Sequence, residues 1–358
     1  MKIGIITMSL LNNYGCVLQN YALQTALKKL GHEPITLDYI PYKSPFRILV
    51  SLAFTVVLFF TRRRRTFAEC FPIKRDKHVA NFIKKNLSVT YPLQGYSTSL
   101  IQEYNLGGFV VGSDQIWRPL YNDDILRDAY LEFTEGYDVK RVAYAASFGV
   151  SHWEYTQKET EICAKLAQRF DAISVREFSG VELCKEYLHV EAKTVLDPTL
   201  LLDANDYRQL INKKRNQNKY ILTYILNASD EKQFFVERIA KRLNCEIVSI
   251  SLGNKLEYSV EEWLGLFDAA EYVVTDSFHG TVFSIIFHKS FSVIDNPSRG
   301  SARMLSLLKL LRVENRLIKE ENLNNANHIE ENINWSIVDN CLLEAQKEGA
   351  SFLSKALS

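Results

Sequence analysis

The sequence of 358 residues lacks the patterns that mark several well-known classes of protein. Its six cysteines form no CxxC pair and show no metal-ligand spacing, so neither a disulfide framework nor a metal site is predicted. The formal net charge is only +1, which does not indicate nucleic-acid binding. The first apolar run is too short for a signal peptide. We therefore expect free thiols in a cytoplasmic protein, with any anion-binding site confined to a local cluster.

A dinucleotide fingerprint, Gly-x-Gly-x-x-Gly, is also absent after the first strand-like segment, although strand-like and helix-like segments alternate along the chain. The strand-like runs lie at 2–7, 35–39, 108–112, 141–147, 172–175, 220–226, 246–250, 272–274 and 291–294. This alternation predicts an α/β protein with two Rossmann-like domains whose parallel sheets face a central cleft. We place the first domain at 1–203, with an apolar and basic insertion at about 46–66, and the second at 204–358. The last helix is expected to pack back on the first domain.

The most informative stretch joins a strand to a helix around His279. Apolar residues of a buried strand run into a polar cluster that contains Asp276 and Ser277, and an apolar helix-like run begins at Thr281. Carboxyl ends of parallel strands face the ligand crevice, and the next helix presents free N–H groups there. His279 is therefore expected where an anion would bind, and Gly280 lets a ligand approach the backbone. The alternative is that these polar residues only cap the helix.

Other strand-like segments also end in polar residues. Asp114 and Gln115 follow the run at 108–112 and are candidates to bind sugar hydroxyls, with Trp117 as a candidate to stack on a sugar face. The alternative is that Asp114 caps a turn and Trp117 belongs to the core. Arg176 ends the run at 172–175, where it could bind a carboxylate or phosphate in bidentate fashion, or else contact its neighbour at the surface.

Five motifs occur in a fixed order along the chain: Asn13-Tyr14-Gly15, residues 110–117, Ser174-Val175-Arg176-Glu177, Leu196-Asp197-Pro198-Thr199 and Ser277-Phe278-His279-Gly280. Together, from Met1 to about Arg316, they resemble the polysaccharide pyruvyl transferase family. The resemblance implies a GT-B-like fold with phosphoenolpyruvate as donor substrate and no further cofactor. It implies as acceptor a sugar of a surface polysaccharide or of its lipid-linked precursor, with a pyruvate ketal as product.

Pyruvyl transfer from phosphoenolpyruvate would need a general acid/base near neutral pKa and fixed cations for a phosphate and a carboxylate. The residues expected to meet these needs are His279 and Asp276 for catalysis and Arg176, Ser277, Gly280, Thr281 and Arg303 for the donor. For the acceptor we expect Asn13, Tyr14, Gly15, Gln19, Asp114 and Gln115. Some family members carry an arginine where this chain has Ser277, so Arg303 or Arg299 is expected to replace it.

Residues 48–60 form an apolar run that is followed by arginines at 62–65. As a helix this run would reach roughly 20 Å, which is short of the roughly 30 Å hydrocarbon core of a membrane. Segment 48–65 is therefore a candidate for peripheral contact with the inner face of the membrane, or for a core helix or subunit contact with solvated arginines.

Two other functions stay open from the sequence. One is a nucleotide-sugar glycosyltransferase of GT-B type. The other is a non-catalytic, membrane-docked module of a glycan-assembly complex.

Overall fold

The computed structural model describes residues 1–41, 74–211, 218–251, 255–325 and 332–358. Segment 48–65 and most of the polar loop predicted at 212–219 lie outside these ranges, and so does the membrane contact expected of the former. In the described ranges no helix is both long enough and apolar enough to cross a membrane.

Two parallel sheets form the centre of the fold. The first has the order β2-β1-β3-β4-β5-β6 and consists of β1 (Lys2–Ile6), β2 (Glu33–Thr36), β3 (Gly108–Val111), β4 (Lys140–Ala146), β5 (Ala172–Val175) and β6 (Lys193–Thr194). The second has the order β11-β10-β9-β7-β8 and consists of β7 (Tyr220–Tyr224), β8 (Glu246–Ser249), β9 (Tyr272–Thr275), β10 (Ser290–Ile294) and β11 (Leu317–Ile318). The predicted α/β class with two parallel sheets is confirmed.

Helices connect the strands and cover both faces of each sheet. They are α1 (Tyr14–Lys29), α2 (Lys77–Asn86), α3 (Ser99–Glu103), α4 (Pro119–Asn122), α5 (Gln157–Ala167), α6 (Phe178–Leu183), α7 (Ala204–Arg208), α8 (Asp230–Leu243), α9 (Val260–Ala269), α10 (Phe278–Ile286), α11 (Ala302–Leu310) and α12 (Trp335–Ala356). The central strands are apolar on both sides, as in β3 and β9, where every residue is buried. Such strands need helices on both faces of the sheet, which is the arrangement seen here.

The second strand differs from its prediction at 35–39. It pairs with β1 over Glu33–Thr36; Thr36 also bridges Val89, and beyond the strand Tyr39 bridges Leu93. The main-chain N–H of Ile40, for example, donates to the carbonyl of Leu93 at 2.8 Å. A second extended segment therefore competes for the backbone groups of residues 37–40, which the local sequence does not reveal.

Helix α12 packs against the first sheet although it ends the chain. Leu353 shares a buried cluster with Ile3 and Val142, and the side-chain amide of Gln346 donates to the carbonyl of Leu200 at 2.7 Å. The boundary at 203/204 between the two domains stays a prediction.

Helix α1 joins the two halves of the molecule through Tyr14. The Tyr14 ring stacks on Trp263 of the second half, with ring centroids 5.3 Å apart, and its hydroxyl donates to the carbonyl of Tyr258 at 2.7 Å. Both rings are fully buried. Because large aromatic side chains bury much apolar area, this contact should hold α1 firmly against the second half.

We expect Tyr14→Ala to lower the free energy of unfolding by about 3–5 kcal/mol, since it leaves a cavity between the halves. Tyr14→Phe should lose only the hydrogen bond, about 1 kcal/mol. Urea unfolding measures both, with Tyr91→Ala as the control because Tyr91 is 54% exposed. A loss in Tyr14→Ala no larger than in Tyr91→Ala would contradict the bridging role.

Candidate functional site

A cavity of about 640 Å³ lies between the two sheets, where the carboxyl ends of their strands meet. The first half contributes residues that follow β1 and β3, and the second half contributes residues that follow β9 and β10. The polar side chains among them include Ser9, Asn12, Asn13, Asp114, Gln115, Asn122, Asp276, Ser277, His279, Asp295, Asn296, Arg299, Ser301 and Arg303. Its volume is in the range of about 300–1,000 Å³ that is usual for small-molecule sites.

Three helices begin at this cavity. Asn13 caps α1 by accepting from the N–H of Cys16, and Ser277 caps α10 by accepting from the N–H of Gly280. Ser301 precedes α11 and makes no side-chain cap bond within the described ranges. All three cap residues line the cavity. Because helix N-termini carry partial positive charge and free N–H groups, the cavity should attract anions.

The imidazole of His279 lies at the base of the cavity and is only 7% exposed. Its ring rests against the backbone of Gly15, where a Cβ atom would lie 2.0 Å from Nδ1. Nε2 lies 3.9 Å from Oδ2 of Asp197, and it has no hydrogen-bond partner in the described part of the chain. Burial lowers the pKa of His279 below its ordinary 6.5, against the opposing charges of Asp197 and Asp114. The imidazole is therefore mainly neutral at pH 7.

Beneath His279 lies a buried network of ion pairs around Arg176. Its Nη1 donates to Oδ2 of Asp197 at 2.5 Å, and its Nη2 donates to Oδ1 of Asp114 at 3.3 Å. Burial opposes ionisation of Asp197, yet the charges of Arg176 and His279 and the hydrogen bonds from Thr199 lower its pKa to about 2. Both aspartates are therefore ionised at neutral pH, and they occupy the guanidinium of Arg176.

Arg303 shares this network but keeps part of its hydrogen-bonding capacity. Its Nη1 lies 3.4 Å from the same Asp114 oxygen, and its Nε has no partner among the described residues. Burial, with the nearby charge of Arg176, lowers the pKa of Arg303 to about 10, so that it stays charged at neutral pH. The Phe278 ring faces both guanidiniums, with Cζ of Arg176 at 4.3 Å and Cζ of Arg303 at 5.5 Å from its centroid. Arg303 is thus a buried cation at the cavity wall.

At the cavity wall next to Arg303, two glycines bring the two halves of the molecule into contact. Gly300 has φ +90°, and a Cβ there would lie 1.9 Å from the carbonyl oxygen of Gly149. Gly149 in turn is held by Glu177, whose Oε1 accepts from the N–H groups of Phe148 and Gly149 at 2.7 and 3.1 Å. Burial raises the pKa of Glu177. A side chain at Gly300 would push the halves apart and move the start of α11.

The predicted site residues fall into two groups. Those that line the cavity are Asn13, Asp114, Gln115, Asp276, Ser277, His279 and Arg303. Those that lie behind its wall are Tyr14, Gly15, Gln19, Arg176, Gly280 and Thr281.

Several of the predicted site residues that lie behind the cavity wall make structural contacts instead. Tyr14 joins the halves, and the amide of Gln19 donates to Oγ1 of Thr7 at 2.6 Å in the interior. The Thr281 hydroxyl donates to the carbonyl of Ser277 at 3.1 Å. Arg176 is buried, so the alternative of a surface contact is wrong. Their side chains support the site from behind.

Asp276 lines the cavity, but both of its oxygens are engaged. They accept from the N–H groups of Leu226 and Asn227 at 2.6 and 3.2 Å, from Nζ of Lys232 at 3.0 Å and from the amide of Asn296 at 2.9 Å. A carboxylate held by four donors is poorly suited to proton transfer. The geometry favours Asp276 as the anchor of the loop at 226–227.

Trp117 does not stack on a ligand as expected. It is fully buried, lies parallel to Tyr130 with centroids 4.7 Å apart, and donates from Nε1 to the carbonyl of Ala129 at 3.0 Å. This correction follows from the short turn after Asp114, which directs Trp117 into the core. The alternative reading of Trp117 as a core residue is confirmed.

The sequence alone gave no role to Asp197 or Phe278. Asp197 belongs to a quoted motif, and its position after a strand was a usable signal, but Pro198 suggested a simple strand stop. Phe278 is apolar, so nothing in its residue type indicated that it contacts two arginines.

Comparisons with known proteins bear on both fold and family. A family model described as polysaccharide pyruvyl transferase matches residues 13–298. Among solved structures, one described as a UDP-N-acetylglucosamine 2-epimerase from Listeria monocytogenes is 11% identical, with a TM-score of 0.55, and the match covers 99% of this chain and 90% of that one. A glycosyltransferase from Rickettsia africae is 9% identical, with a TM-score of 0.48 and coverage of 100% and 94%. No curated protein matches the chain. The predicted GT-B-like α/β fold is confirmed.

We expect Gly15→Ala to displace the His279 ring, since the new methyl group would lie 2.0 Å from Nδ1. The imidazole resonances of His279, assigned with His279→Gln, should shift in the NMR spectrum of Gly15→Ala. Gly95→Ala is the control, because a Cβ there has no neighbour within 4 Å. Unchanged His279 resonances in Gly15→Ala would show that the glycine does not set the ring position.

Proposed function

The chain belongs to the polysaccharide pyruvyl transferase family, and we propose that it moves the pyruvyl group of phosphoenolpyruvate onto two hydroxyls of an acceptor sugar. The acceptor would be a sugar of a surface polysaccharide or of its lipid-linked precursor, and the product a pyruvate ketal. The observation that carries this proposal is one cavity where His279 and Arg303 meet three helix N-termini. That combination suits a small donor with two anionic groups.

The donor is proposed to bind at the Arg303 side of the cavity. Nε of Arg176 and Nε of Arg303 are both buried without a partner in the described ranges, but Arg176 is held by two aspartates behind the wall, whereas Arg303 lines the cavity. A buried guanidinium nitrogen without an acceptor is costly, and a phosphate or carboxylate oxygen would satisfy it. Arg303 therefore makes the donor contact in place of the arginine that some family members carry at the position of Ser277. Arg176 acts indirectly, by fixing Asp114 and Asp197.

His279 is proposed to transfer the proton on which the reaction depends. The protonated imidazole gives its proton to the methylene carbon of phosphoenolpyruvate, which leaves a cationic carbon that an acceptor hydroxyl attacks. That hydroxyl returns a proton to His279 as the new C–O bond forms. The second hydroxyl then attacks the same carbon, and the C–O bond to phosphate breaks. The proton of this second hydroxyl leaves with the inorganic phosphate. Transfer thus converts phosphoenolpyruvate and a diol into a ketal and phosphate.

Donor binding should charge His279. The free imidazole is neutral at pH 7 because burial lowers its pKa. Anionic groups placed beside it favour the imidazolium, so the pKa rises when the donor binds. His279 is therefore a general acid only when the donor is bound.

Calorimetry with phosphoenolpyruvate tests the function and the role of His279. We expect saturable binding with proton uptake at pH 7, read from buffers of different ionisation enthalpy, and less uptake in His279→Gln. Turnover should fall about 10²- to 10⁴-fold in His279→Gln, as for loss of a general acid. Binding of UDP-sugars in place of phosphoenolpyruvate would sink the proposal and favour a glycosyltransferase. Near-normal turnover in His279→Gln would remove the histidine from the mechanism.

Arg303→Gln should weaken phosphoenolpyruvate binding about tenfold or more, because it removes a charged hydrogen-bond donor from the cavity wall. The matched control is Lys309→Gln, which removes the same charge from an exposed position on the same helix, α11. Isothermal titration of both variants gives the comparison. Equal affinities would assign the donor contact to another residue.

A further inference from the structure

One aromatic side chain at the cavity has no part in the mechanism above. Tyr121 belongs to the short helix α4, lines the cavity and is 39% exposed. Arg303 lines the same cavity. The Tyr121 ring therefore shares a cavity with the proposed donor contact while keeping a surface open to a ligand.

The ring is backed by a fixed cation. Cζ of Arg118 lies 5.3 Å from the centroid of the Tyr121 ring. Arg118 is buried and forms two bonds to the carboxylate of Glu154, at 2.9 and 3.1 Å, and a third to Oε1 of Gln115 at 3.0 Å. These three hydrogen bonds fix the orientation of the Arg118 guanidinium. One side of the Tyr121 ring thus has a rigid support.

The short helix itself is tied to the end of β3. The buried amide of Asn122 donates to the carbonyl of Gln115 at 2.7 Å, and the N–H of Tyr121 donates to the carbonyl of Arg118 at 3.1 Å. The loop that carries Asp114 therefore also positions the Tyr121 ring. A preorganised ring loses little conformational entropy when a ligand stacks on it.

From these observations we infer that Tyr121 is the platform on which a pyranose ring of the acceptor stacks through its apolar C–H face. The inference rests on the proposed function, because it names the part of the cavity that receives the sugar. Tyrosine offers a large flat apolar surface with a polar end, which suits a ring with C–H groups on one face and hydroxyls at its edge. Asn12 and Asn13 line the same cavity, and the Asn12 amide and the amide nitrogen of Asn13, whose oxygen caps α1, can bind those hydroxyls.

The volume of the cavity supports a second subsite beside that of the donor. A three-carbon donor fills only a part of a cavity of about 640 Å³. Tyr121, Asn12 and Asn13 line the cavity from the first half of the molecule, whereas Arg303 lines it from the second half. A sugar stacked on Tyr121 would lie beside the donor at Arg303, as transfer between the two requires.

The experiment uses methyl glycosides of galactose, glucose and mannose as probes with the full-length protein. Phosphate release from phosphoenolpyruvate measures transfer, and saturation-transfer NMR measures glycoside binding. In Tyr121→Ala we expect the KM for the accepted glycoside to rise about three- to tenfold, as for loss of an aromatic contact, with kcat and the KM for phosphoenolpyruvate within about twofold of wild type. Tyr121→Phe should behave like the wild type.

Leu120→Ala is the matched control, because Leu120 is 66% exposed on the same helix and is not among the residues that line the cavity. Stacking should also shift the C–H protons of one sugar face upfield in the wild type and Tyr121→Phe, but not in Tyr121→Ala. An unchanged glycoside KM in Tyr121→Ala, or an equal loss in Tyr121→Phe, would overturn the inference.

The two proposals can fail separately. Glycoside binding that weakens in Tyr121→Ala, without phosphate release by any form of the protein, would support stacking and overturn pyruvyl transfer. Wild-type protein that binds none of the three glycosides would overturn the stacking inference, whatever its affinity for phosphoenolpyruvate.

Discussion

Arg176 lies between Asp197 and Asp114, which follow other strands of the same sheet, and all three side chains are buried. A buried charge is tolerated only when it is paired, and removal of one partner typically costs about 3–5 kcal/mol. The ion pairs therefore fix three strand ends relative to one another. Ser113 adds a hydrogen bond to Asp197 at 2.8 Å. The shape of the cavity floor depends on this network before any ligand is bound.

The charges of the network also explain why its arginines differ. Two arginines and two aspartates form ion pairs among themselves, and Asp114 is shared between Arg176 and Arg303. Arg176 has the shorter contacts, whereas Arg303 reaches the shared oxygen only at 3.4 Å. An incoming anion competes more easily for the weaker contact. The same network lowers the pKa of Asp197, whereas burial lowers the pKa of His279 and keeps its imidazole neutral, so that an added anion would favour protonation of His279.

Much of the fold and part of the site could be predicted from the sequence because parallel sheets obey strict rules. Short buried strands followed by polar residues place Asp114 at the carboxyl edge of the first sheet and His279 at that of the second, whatever the details of the loops. The rest depends on contacts between distant residues. Arg176 and Asp197 are 21 positions apart, and no local pattern pairs them. Asp114 has φ +70°, Trp117 lies in the core and Tyr121 lines the cavity, and no local pattern indicated these three features.

Helix α1 links the stability of the molecule to its chemistry. Its first residues fill the space between the halves, since Tyr14 packs on Trp263 while the adjacent Gly15 supports the His279 ring. The same turn begins at Asn13, so its N–H groups face the cavity. A rotation of one half against the other would therefore move the histidine and the anion-binding helix ends together. Because the two halves also touch at Gly149 and Gly300, a shift of one half against the other would change the cavity at both contacts.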